Sequence, residues 1–161
     1  MAVNVPPAGS RGSRFPKFPG FMARFMSRMQ TAMFRRQKGG RTPGGVPALL
    51  LETIGSRTGE TRRAVVGYLQ DGPDAWLTIA SLAGTARNPA WLYNLGKNPL
   101  ATVELGDGRR ARVAATSLAG VERDAAWKRI ELEAPEYMKY LDATDRQITI
   151  VRLAAIPSPA P

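Results

Sequence analysis

Short apolar runs, each bounded by glycine, proline, asparagine or aspartate, make up most of the chain from residue 47 onward. Runs of this length and composition are typical of β-strands. Residues 47–54 and 63–70 form the first predicted pair, and Gly106-Asp107-Gly108 indicates a tight hairpin farther along. The other predicted strands are 75–81, 100–105, 109–116 and one that ends the segment 144–156.

Two helices are predicted among these strands. Asn88 is a suitable N-cap and Pro89 suits the first position of a helix over 88–98, and a second, longer helix is predicted over 118–134. The strict alternation of strand and helix that builds a parallel sheet is absent. The pattern therefore predicts a mainly β (α+β) fold, either an antiparallel barrel or an open sheet, with flanking helices.

The N-terminal third of the chain has a different pattern. Residues 1–20 are rich in proline, glycine and serine, which predicts a flexible basic arm. Residues 21–36 predict a basic amphipathic helix with one apolar stripe. The stripe consists of Phe21, Met22, Phe25, Met26, Met29 and Met33. Two interpretations remain open, a helix that packs this stripe on the domain and a helix that lies on an anionic membrane surface. The remaining predicted divisions are a linker over 37–45, one domain over 46–156 and a disordered tail over 157–161.

Charged residues are also distributed differently between the N-terminal segment and the rest of the chain. Residues 1–51 contain nine basic side chains and no acidic one, whereas the remaining 110 residues hold 14 basic and 13 acidic side chains. The net charge of +10 therefore belongs to the N-terminal segment, and the domain is nearly neutral. The basic arm lacks aromatic residues interleaved with its arginines in the manner of a nucleic-acid surface, so nucleic acid is not an expected partner.

The chain contains no cysteine and no histidine. Thiol nucleophiles and disulfides are excluded, no metal site is expected, and an enzyme of this composition needs a cofactor to carry the chemistry. The glycine motifs of Rossmann and P-loop nucleotide sites are absent. Because no apolar run of about 18 residues and no secretory signal is present, we expect a cytoplasmic protein, peripheral on the inner face of the plasma membrane if the helix binds lipid.

The connection between the first two predicted strands, GSRTGETRR over 55–63, is long and positively charged for a hairpin. Its glycines allow backbone N–H groups to converge, and its hydroxyl and guanidinium groups add further donors. The loop therefore predicts a site for a phosphate or a polycarboxylate, with an ordinary solvated hairpin tip as the alternative.

Two further segments contain candidate chemistry. In ASLAGTARNPAWLYN over 80–94, small residues suit the close approach of a flat ring, and the start of a helix favours an anion. In PEYMKYLDATDRQI over 135–148, Tyr137 and Tyr140 are three residues apart, and a phenol can stack on a substrate and donate a proton. The alternatives are a plain loop, a core position for Trp91 and two packing tyrosines.

Together, GSRTGETRR, SLAGTARNPAWLYNLGKNP and EYMKYLDATDRQI resemble the deazaflavin-dependent nitroreductase family, with the motifs in the family's order from about Leu49 to Ile156. The resemblance implies a split β-barrel similar to that of flavin-mononucleotide-binding oxidoreductases. It also implies hydride transfer from reduced coenzyme F-420, with flavin mononucleotide (FMN) as the alternative cofactor.

The resemblance also implies roles for particular residues. The coenzyme's phosphate and acidic tail are expected at Gly55, Ser56, Arg57, Thr58, Gly59 and Arg62. The deazaflavin ring is expected against Val65, Val66 and Gly67 and beside Ser81, Leu82 and Ala83. The pocket is completed by Asn88, Pro89, Trp91 and Asn94, and the substrate-facing, catalytic residues are Tyr137 and Tyr140. The family often has proline at the position of Val65 and an aromatic residue at that of Gly67, so the pocket above the ring is expected to be roomier here.

The expected activity is reduction of an electron-poor small molecule, namely a quinone, an activated alkene or a nitroaromatic. Two alternatives from other functional classes remain. The first is a split-barrel protein that binds a flavin or a fatty acid without catalysis, and the second is a module that binds membrane surfaces through residues 21–36.

Overall fold

A computed structural model describes residues 2–157 of the chain. The four helices are α1 (Gly20–Arg36), α2 (Ala90–Lys97), α3 (Gly120–Glu133) and α4 (Met138–Ala143). The six strands are β1 (Ala48–Ile54), β2 (Thr61–Gln70), β3 (Ala75–Ile79), β4 (Leu100–Glu104), β5 (Arg110–Ser117) and β6 (Ile150–Ala155). Short 3-10 turns cover Leu82–Gly84 and Pro135–Tyr137.

The six strands form a closed antiparallel barrel in the order β1-β2-β3-β6-β5-β4. Hairpins join β1 to β2, β2 to β3 and β4 to β5, while β6 returns from the end of the chain to lie between β3 and β5. The ring closes where β1 also pairs with β4, with Leu51 opposite Val103. This arrangement confirms the predicted fold, a mainly β split barrel with flanking helices.

Alternation along the strands separates the two faces of the barrel wall. On β1, Leu49 and Leu51 point into the barrel, whereas Leu50 points outward and packs under Phe34 of α1. The interior cluster also contains Trp76, Val103, Val113, Val151 and Leu153, joined by Trp91, Leu92 and Leu95 of α2. Because α2 contributes to this cluster, it is fixed relative to the strands that it follows.

A second apolar cluster forms on the outside of the barrel. Ile130 of α3 and Tyr137 of the following turn pack there with Leu77, Ile79 and Ile150 of the strands. This cluster holds the segment that contains both candidate tyrosines against the outer wall.

Helix α1 begins and ends close to its predicted bounds, but its apolar stripe does not face the domain. The helix docks through Thr31 and Phe34, which are buried, and through Ser27, whose hydroxyl donates to the carbonyl of Arg63. Phe21 is 75% exposed and Phe25 is 67% exposed. The interpretation in which the stripe packs on the domain is therefore wrong, because a narrower and more polar face makes the contact.

Residues 3–13 pack on the domain, whereas the composition of residues 1–20 predicts a flexible arm. Val3 is buried in the interior cluster, and the N–H of Gly9 donates to the carbonyl of Ala86 at 2.7 Å. Ser13 forms a bridge with Thr85. The segment lacks a helical or strand period, so its order comes from hydrogen bonds to partners far away in sequence. We call residues 3–13 the N-terminal strap.

Among residues 2–157, none of the helices is both long and apolar enough to cross a membrane. Of the predicted disordered tail over 157–161, residues 158–161 lie outside the described residues.

Candidate active site

The loop between β1 and β2 closes on itself through its backbone. The N–H of Gly55 donates to the carbonyl of Glu60 at 2.8 Å, and the N–H of Gly59 donates to the carbonyl of Gly55 at 2.9 Å. Gly59 has a φ of 73°, a left-handed conformation that glycine adopts readily. The backbone N–H groups of Arg57 and Thr58, at the exposed tip, make no hydrogen bond to another described residue. The tip therefore presents two free backbone donors.

The arginines of this loop have different surroundings. Arg62 pairs with Glu60 at 3.1 Å, and Arg24 of α1 approaches the same carboxylate at 3.7 Å. Arg63 is bound to Glu52 at 2.6 Å on the outer face of the barrel, away from the tip. Arg57 is exposed at the tip and pairs with no acidic residue of the described chain. Arg57 and Arg62 are thus the guanidinium groups that an anion at the tip can reach.

Helix α2 anchors this loop from behind. The side chain of Asn94 accepts a hydrogen bond from the N–H of Ser56 and donates one to the hydroxyl of Thr53, both at 2.9 Å. Lys97 donates to the carbonyl of Ser56 at 2.7 Å. Asn94 is buried, so its amide holds the loop in place, whereas the sequence predicted that it lines the pocket.

Three consecutive residues of β2 were predicted to line the deazaflavin ring, and they do not share one surface. Val66 points toward the interior cluster of the barrel. Val65 lies on the outer face, where it packs against the cluster of Phe34, and Gly67 shares that outer face. A ring on the outer wall can contact Val65 and Gly67, whereas the side chain of Val66 faces the interior because strand residues alternate, and its contact with the ring stays a prediction.

Tyr137 occupies the space above Gly67. A Cβ atom at Gly67 would overlap the Tyr137 hydroxyl, and one at Gly44 would overlap the edge of its ring. The sequence predicted a roomier pocket at Gly67, and in the structure the phenol fills that room. Burial raises the pKa of Tyr137, while a hydrogen bond with Thr42 acts in the opposite direction. The phenol is therefore a protonated hydrogen-bond donor at neutral pH.

Tyr140 stands beside Tyr137. The two ring centroids are 5.6 Å apart and the planes meet at 82°, an edge-to-face arrangement that aromatic pairs favour. Tyr140 is partly exposed, whereas Tyr137 is only 6% exposed. The predicted pair is thus a real contact, with Tyr140 on its solvent side.

The loop after β3 has an unusual backbone. Leu82, Ala83 and Gly84 have φ values of 40°, 53° and 73°, so two residues with side chains lie in the left-handed region. Each such residue costs about 1–3 kcal/mol, and conformations of this kind concentrate at functional sites. A Cβ at Gly84 would press on Tyr140 and Ala143 of α4. The loop predicted to approach the ring therefore adjoins the tyrosine pair.

The other residues predicted to complete the pocket are internal. Trp91 and Pro89 are buried, and Asn88 donates to the carbonyl of Pro6 at 2.7 Å and accepts from Arg146 at 3.0 Å. Their side chains hold segments of the site together, and their predicted contact with the coenzyme stays a prediction. Arg146, which the prediction did not include, was signalled only by the T-D-R sequence at 144–146.

A protein-family model described as F420H(2)-dependent quinone reductase matches residues 26–154, which include every element of this site. The chain belongs to the F420H(2)-dependent quinone reductase family. It is thus a deazaflavin-dependent oxidoreductase, and its cofactor is coenzyme F-420. The expectation of a non-catalytic binding protein is set aside, and FMN becomes a secondary possibility.

Similar proteins agree with this family assignment. An F420H(2)-dependent quinone reductase of Mycobacterium tuberculosis is 36% identical over 132 residues, which cover 78% of this chain and 87% of that protein. The solved structure of an F420-H2-dependent reductase has a TM-score of 0.60 and 29% identity, and covers 66% of this chain and 93% of its own. A solved structure described as a domain-swapped dimer has a TM-score of 0.61 and 25% identity, and covers 82% and 98% of the two chains.

The residues present fit the family's coenzyme. The tip of the loop over 55–63 combines two free N–H groups with Arg57 and Arg62, a donor set suited to a phosphate. On the same strand, Gly67 leaves a recess that an aromatic residue fills in the structure. The phosphate-suited donors at the start of β2 and the recess at Gly67 thus lie along one strand.

Proposed function

We propose that this protein transfers a hydride from reduced coenzyme F-420 to quinones, and that activated alkenes and nitroaromatics belong to its wider range of acceptors. The observation that carries the proposal is the contact between Tyr137 and Gly67, which brings a protonated phenol to the strand on which the ring is expected. The quinone class is favoured by the names of the family and of the relatives.

Arg57 and Arg62 hold the coenzyme's phosphate and acidic tail in this proposal, with the N–H groups of Arg57 and Thr58. Arg62 and Gly67 are five residue steps apart on β2, a span of about 17 Å along an extended strand. An elongated coenzyme can therefore keep its charged end at the exposed tip and its ring near Gly67. Tyr137 and the linker beside it must move outward to admit the ring.

Bound coenzyme F-420 supplies the hydride. When a quinone takes up a hydride, negative charge develops on one oxygen, and one proton from solvent completes its reduction to the hydroquinone. The Tyr137 hydroxyl donates a hydrogen bond to that oxygen as the charge appears, which lowers the barrier as an oxyanion site does. The chain has no histidine to take this role. Tyr140 lies on the solvent side of Tyr137 and limits the access of water to the reacting quinone.

The proposal is tested by mixing the full-length protein with reduced coenzyme F-420 under anaerobic conditions and adding a benzoquinone, an enone or a nitroaromatic. We expect the absorbance of the oxidised coenzyme to return fastest with the quinone, and only when protein is present. Tight coenzyme binding without oxidation by any acceptor would instead support a protein that binds the coenzyme without catalysis.

We also propose that α1 lies on an anionic membrane surface, where a quinone substrate would be found, on the cytoplasmic side. The observation in favour is the exposed stripe of Phe21, Phe25, Met29 and Met33 beside a segment that contains no acidic residue. Arg28 and Arg36 lie on the same helix and form no ion pair among the described residues. Each basic residue near such a surface contributes about 1 kcal/mol.

Sedimentation with vesicles of mixed phosphatidylglycerol and phosphatidylcholine tests this second proposal. Phe21→Ser with Phe25→Ser should abolish co-sedimentation at low salt. The matched control is Val121→Ser with Leu132→Ser, which changes two apolar residues of α3 that are 85% and 84% exposed. Equal binding by both double variants, or dimerisation through α1 without vesicle binding, would contradict a lipid partner.

A further inference from the structure

Arg146 is a buried cation whose guanidinium is bound to no carboxylate of the described residues. The residue is only 4% exposed, and burial lowers its pKa. Its guanidinium donates to the carbonyls of Ala80, Ser81 and Thr85 and to the side-chain oxygen of Asn88, at distances of 2.9 to 3.1 Å. All of its principal partners are neutral oxygens, so the charge is balanced by oriented dipoles and not by an ion pair.

The oxygens that Arg146 binds flank the left-handed residues. Ala80 and Ser81 precede Leu82, Ala83 and Gly84, and Thr85 and Asn88 follow them. One planar group thus joins the two ends of the strained turn. The planar fork of arginine presents five donors in fixed directions, which a lysine cannot reproduce.

Asp145, the neighbour of Arg146, binds the N-terminal strap. Its carboxylate accepts hydrogen bonds from the N–H groups of Ser10 and Arg11, both at 2.9 Å, and from the hydroxyl of Ser10. These bonds hold the pKa of Asp145 below its ordinary value. The hydroxyl of Thr144 donates to the carbonyl of Arg11 at 2.8 Å. Adjacent residues therefore hold the strap and the strained turn.

The strap and the turn also bind each other directly. The N–H of Ser13 donates to the carbonyl of Gly84 at 2.9 Å, and Gly12 packs so closely on Ala86 that a Cβ there would overlap its backbone. The strap and Arg146 thus both bind the segment over 80–88. The conformation of this segment therefore depends on both.

We propose that Arg146 is a positioning residue of the coenzyme site, which holds residues 80–88 in the conformation that presents Leu82 and Ala83 to the ring, and that Asp145 couples this conformation to the N-terminal strap. The part of this inference that concerns the coenzyme ring rests on the proposed function. The coupling of strap, turn and Arg146 concerns the protein alone and has its own measurement.

Hydrogen exchange on the coenzyme-free protein measures the coupling. Asp145→Ala removes an exposed carboxylate, so the fold is retained, and exchange should rise at least tenfold in both 3–13 and 80–88. Arg146→Lys should raise exchange in the same two segments. The control is Arg152→Gln, which breaks the ion pairs of a β6 arginine with Asp71 and Glu122, away from the turn. Unchanged exchange in 80–88 in both Asp145→Ala and Arg146→Lys would overturn the proposal.

The affinities for the coenzyme and for phosphate distinguish a positioning role of Arg146 from a general effect on protein stability. Arg146→Lys should weaken binding of coenzyme F-420 at least tenfold, while binding of inorganic phosphate at the loop over 55–63 stays within twofold of the wild type. The positioning role would be overturned if Arg146→Lys lost affinity equally for the coenzyme and for phosphate, or if its coenzyme affinity were unchanged. If Arg146→Lys fails to fold, Asp145→Ala is measured with the same probes and the same criteria. Failure of the wild-type protein to bind the coenzyme would refute the proposed function instead, and the exchange result would still decide the coupling.

Discussion

Asn94 of α2 accepts a hydrogen bond from the backbone N–H of Ser56, with 2.9 Å between the two atoms. This bond joins the helix that fills the barrel interior to the loop that presents the free donors of Arg57 and Thr58. The loop is therefore positioned from the core of the protein, and its preorganisation does not depend on the anion that it binds. Such preorganisation reduces the entropy that binding must overcome.

Asn94→Ala should destabilise the protein and weaken coenzyme binding together. The change leaves the N–H of Ser56 and the hydroxyl of Thr53 without their partner, which costs about 1–3 kcal/mol. Urea denaturation measures the loss of stability, and calorimetry measures the affinity for coenzyme F-420. Asn98→Ala, which removes a half-buried amide that accepts a hydrogen bond from the N–H of Leu100, is the control and should leave affinity unchanged. Wild-type affinity in Asn94→Ala would show that the loop needs no anchor.

Arg57→Ala should weaken coenzyme binding without affecting the fold. Arg57 is exposed and makes no ion pair within the described chain, so its loss should change stability by less than about 0.5 kcal/mol. A lost contact with a phosphate or carboxylate should cost about 1.5–3 kcal/mol, or roughly 10- to 150-fold in affinity. Arg62→Ala should reduce affinity similarly and also release Glu60. Arg109→Ala, at the tip of the β4–β5 hairpin, is the control. If titration calorimetry finds wild-type affinity in both Arg57→Ala and Arg62→Ala, the loop is excluded from the site.

Glu104 should give the protein an acid-dependent component of stability. A hydrogen bond from Arg35 holds the pKa of Glu104 below its ordinary value of 4.5, with burial acting in the opposite direction and Arg110 adding to the lowering. Because the folded-state pKa is depressed, the stabilisation is complete above about pH 4.5 and is lost as the pH falls through the folded-state value. Glu104→Gln should therefore be less stable than the wild type by about 1 kcal/mol at pH 6.

Urea denaturation of both proteins at pH 6 and pH 3 checks the sign of this effect. The difference in free energy of unfolding between Glu104→Gln and the wild type should be smaller at pH 3 than at pH 6, because below about pH 4.5 the unfolded state binds a proton more readily than the folded state does. A difference that stays constant between the two pH values would contradict the account.

Tyr137→Phe should lower turnover about 10- to 1000-fold, the scale expected for loss of a donor to developing charge. Coenzyme affinity and the melting temperature should barely change, since phenylalanine fills the same space. Because the pKa of Tyr137 lies above its ordinary value of 10.0, its ionisation should produce no decline in wild-type turnover below pH 10. Tyr93→Phe alters an exposed tyrosine and is the control. Unchanged turnover with a quinone, an enone and a nitroaromatic, all at saturating coenzyme, would remove Tyr137 from the reaction.

Local patterns in the sequence predicted the elements well. Alternation and turn residues located the strands, and Gly106-Asp107-Gly108 marked the β4–β5 hairpin. The motifs also predicted the coenzyme and the family. Closure of the barrel could not be predicted from the sequence, because the pairing of β1 with β4 joins residues about 50 apart and no local signal specifies it.

The orientations of side chains were predicted less well. An amide such as Asn88 or Asn94 suits a ligand and a loop anchor equally, and only the fold shows that both are anchors. Periodicity found the apolar stripe of α1 but not which face of the helix meets the barrel. The order of the N-terminal strap escaped prediction because it depends on Asp145, which is more than 130 residues away.

The central claim is that coenzyme F-420 lies along β2, with its charged end at the loop over 55–63 and its ring above Gly67. A crystal structure of the full-length protein with the coenzyme tests this most directly. We expect its phosphate within hydrogen-bond distance of the N–H groups of Arg57 and Thr58, and Tyr137 displaced from Gly67 by the ring. A coenzyme bound elsewhere on the barrel, with Tyr137 still in contact with Gly67, would contradict the account.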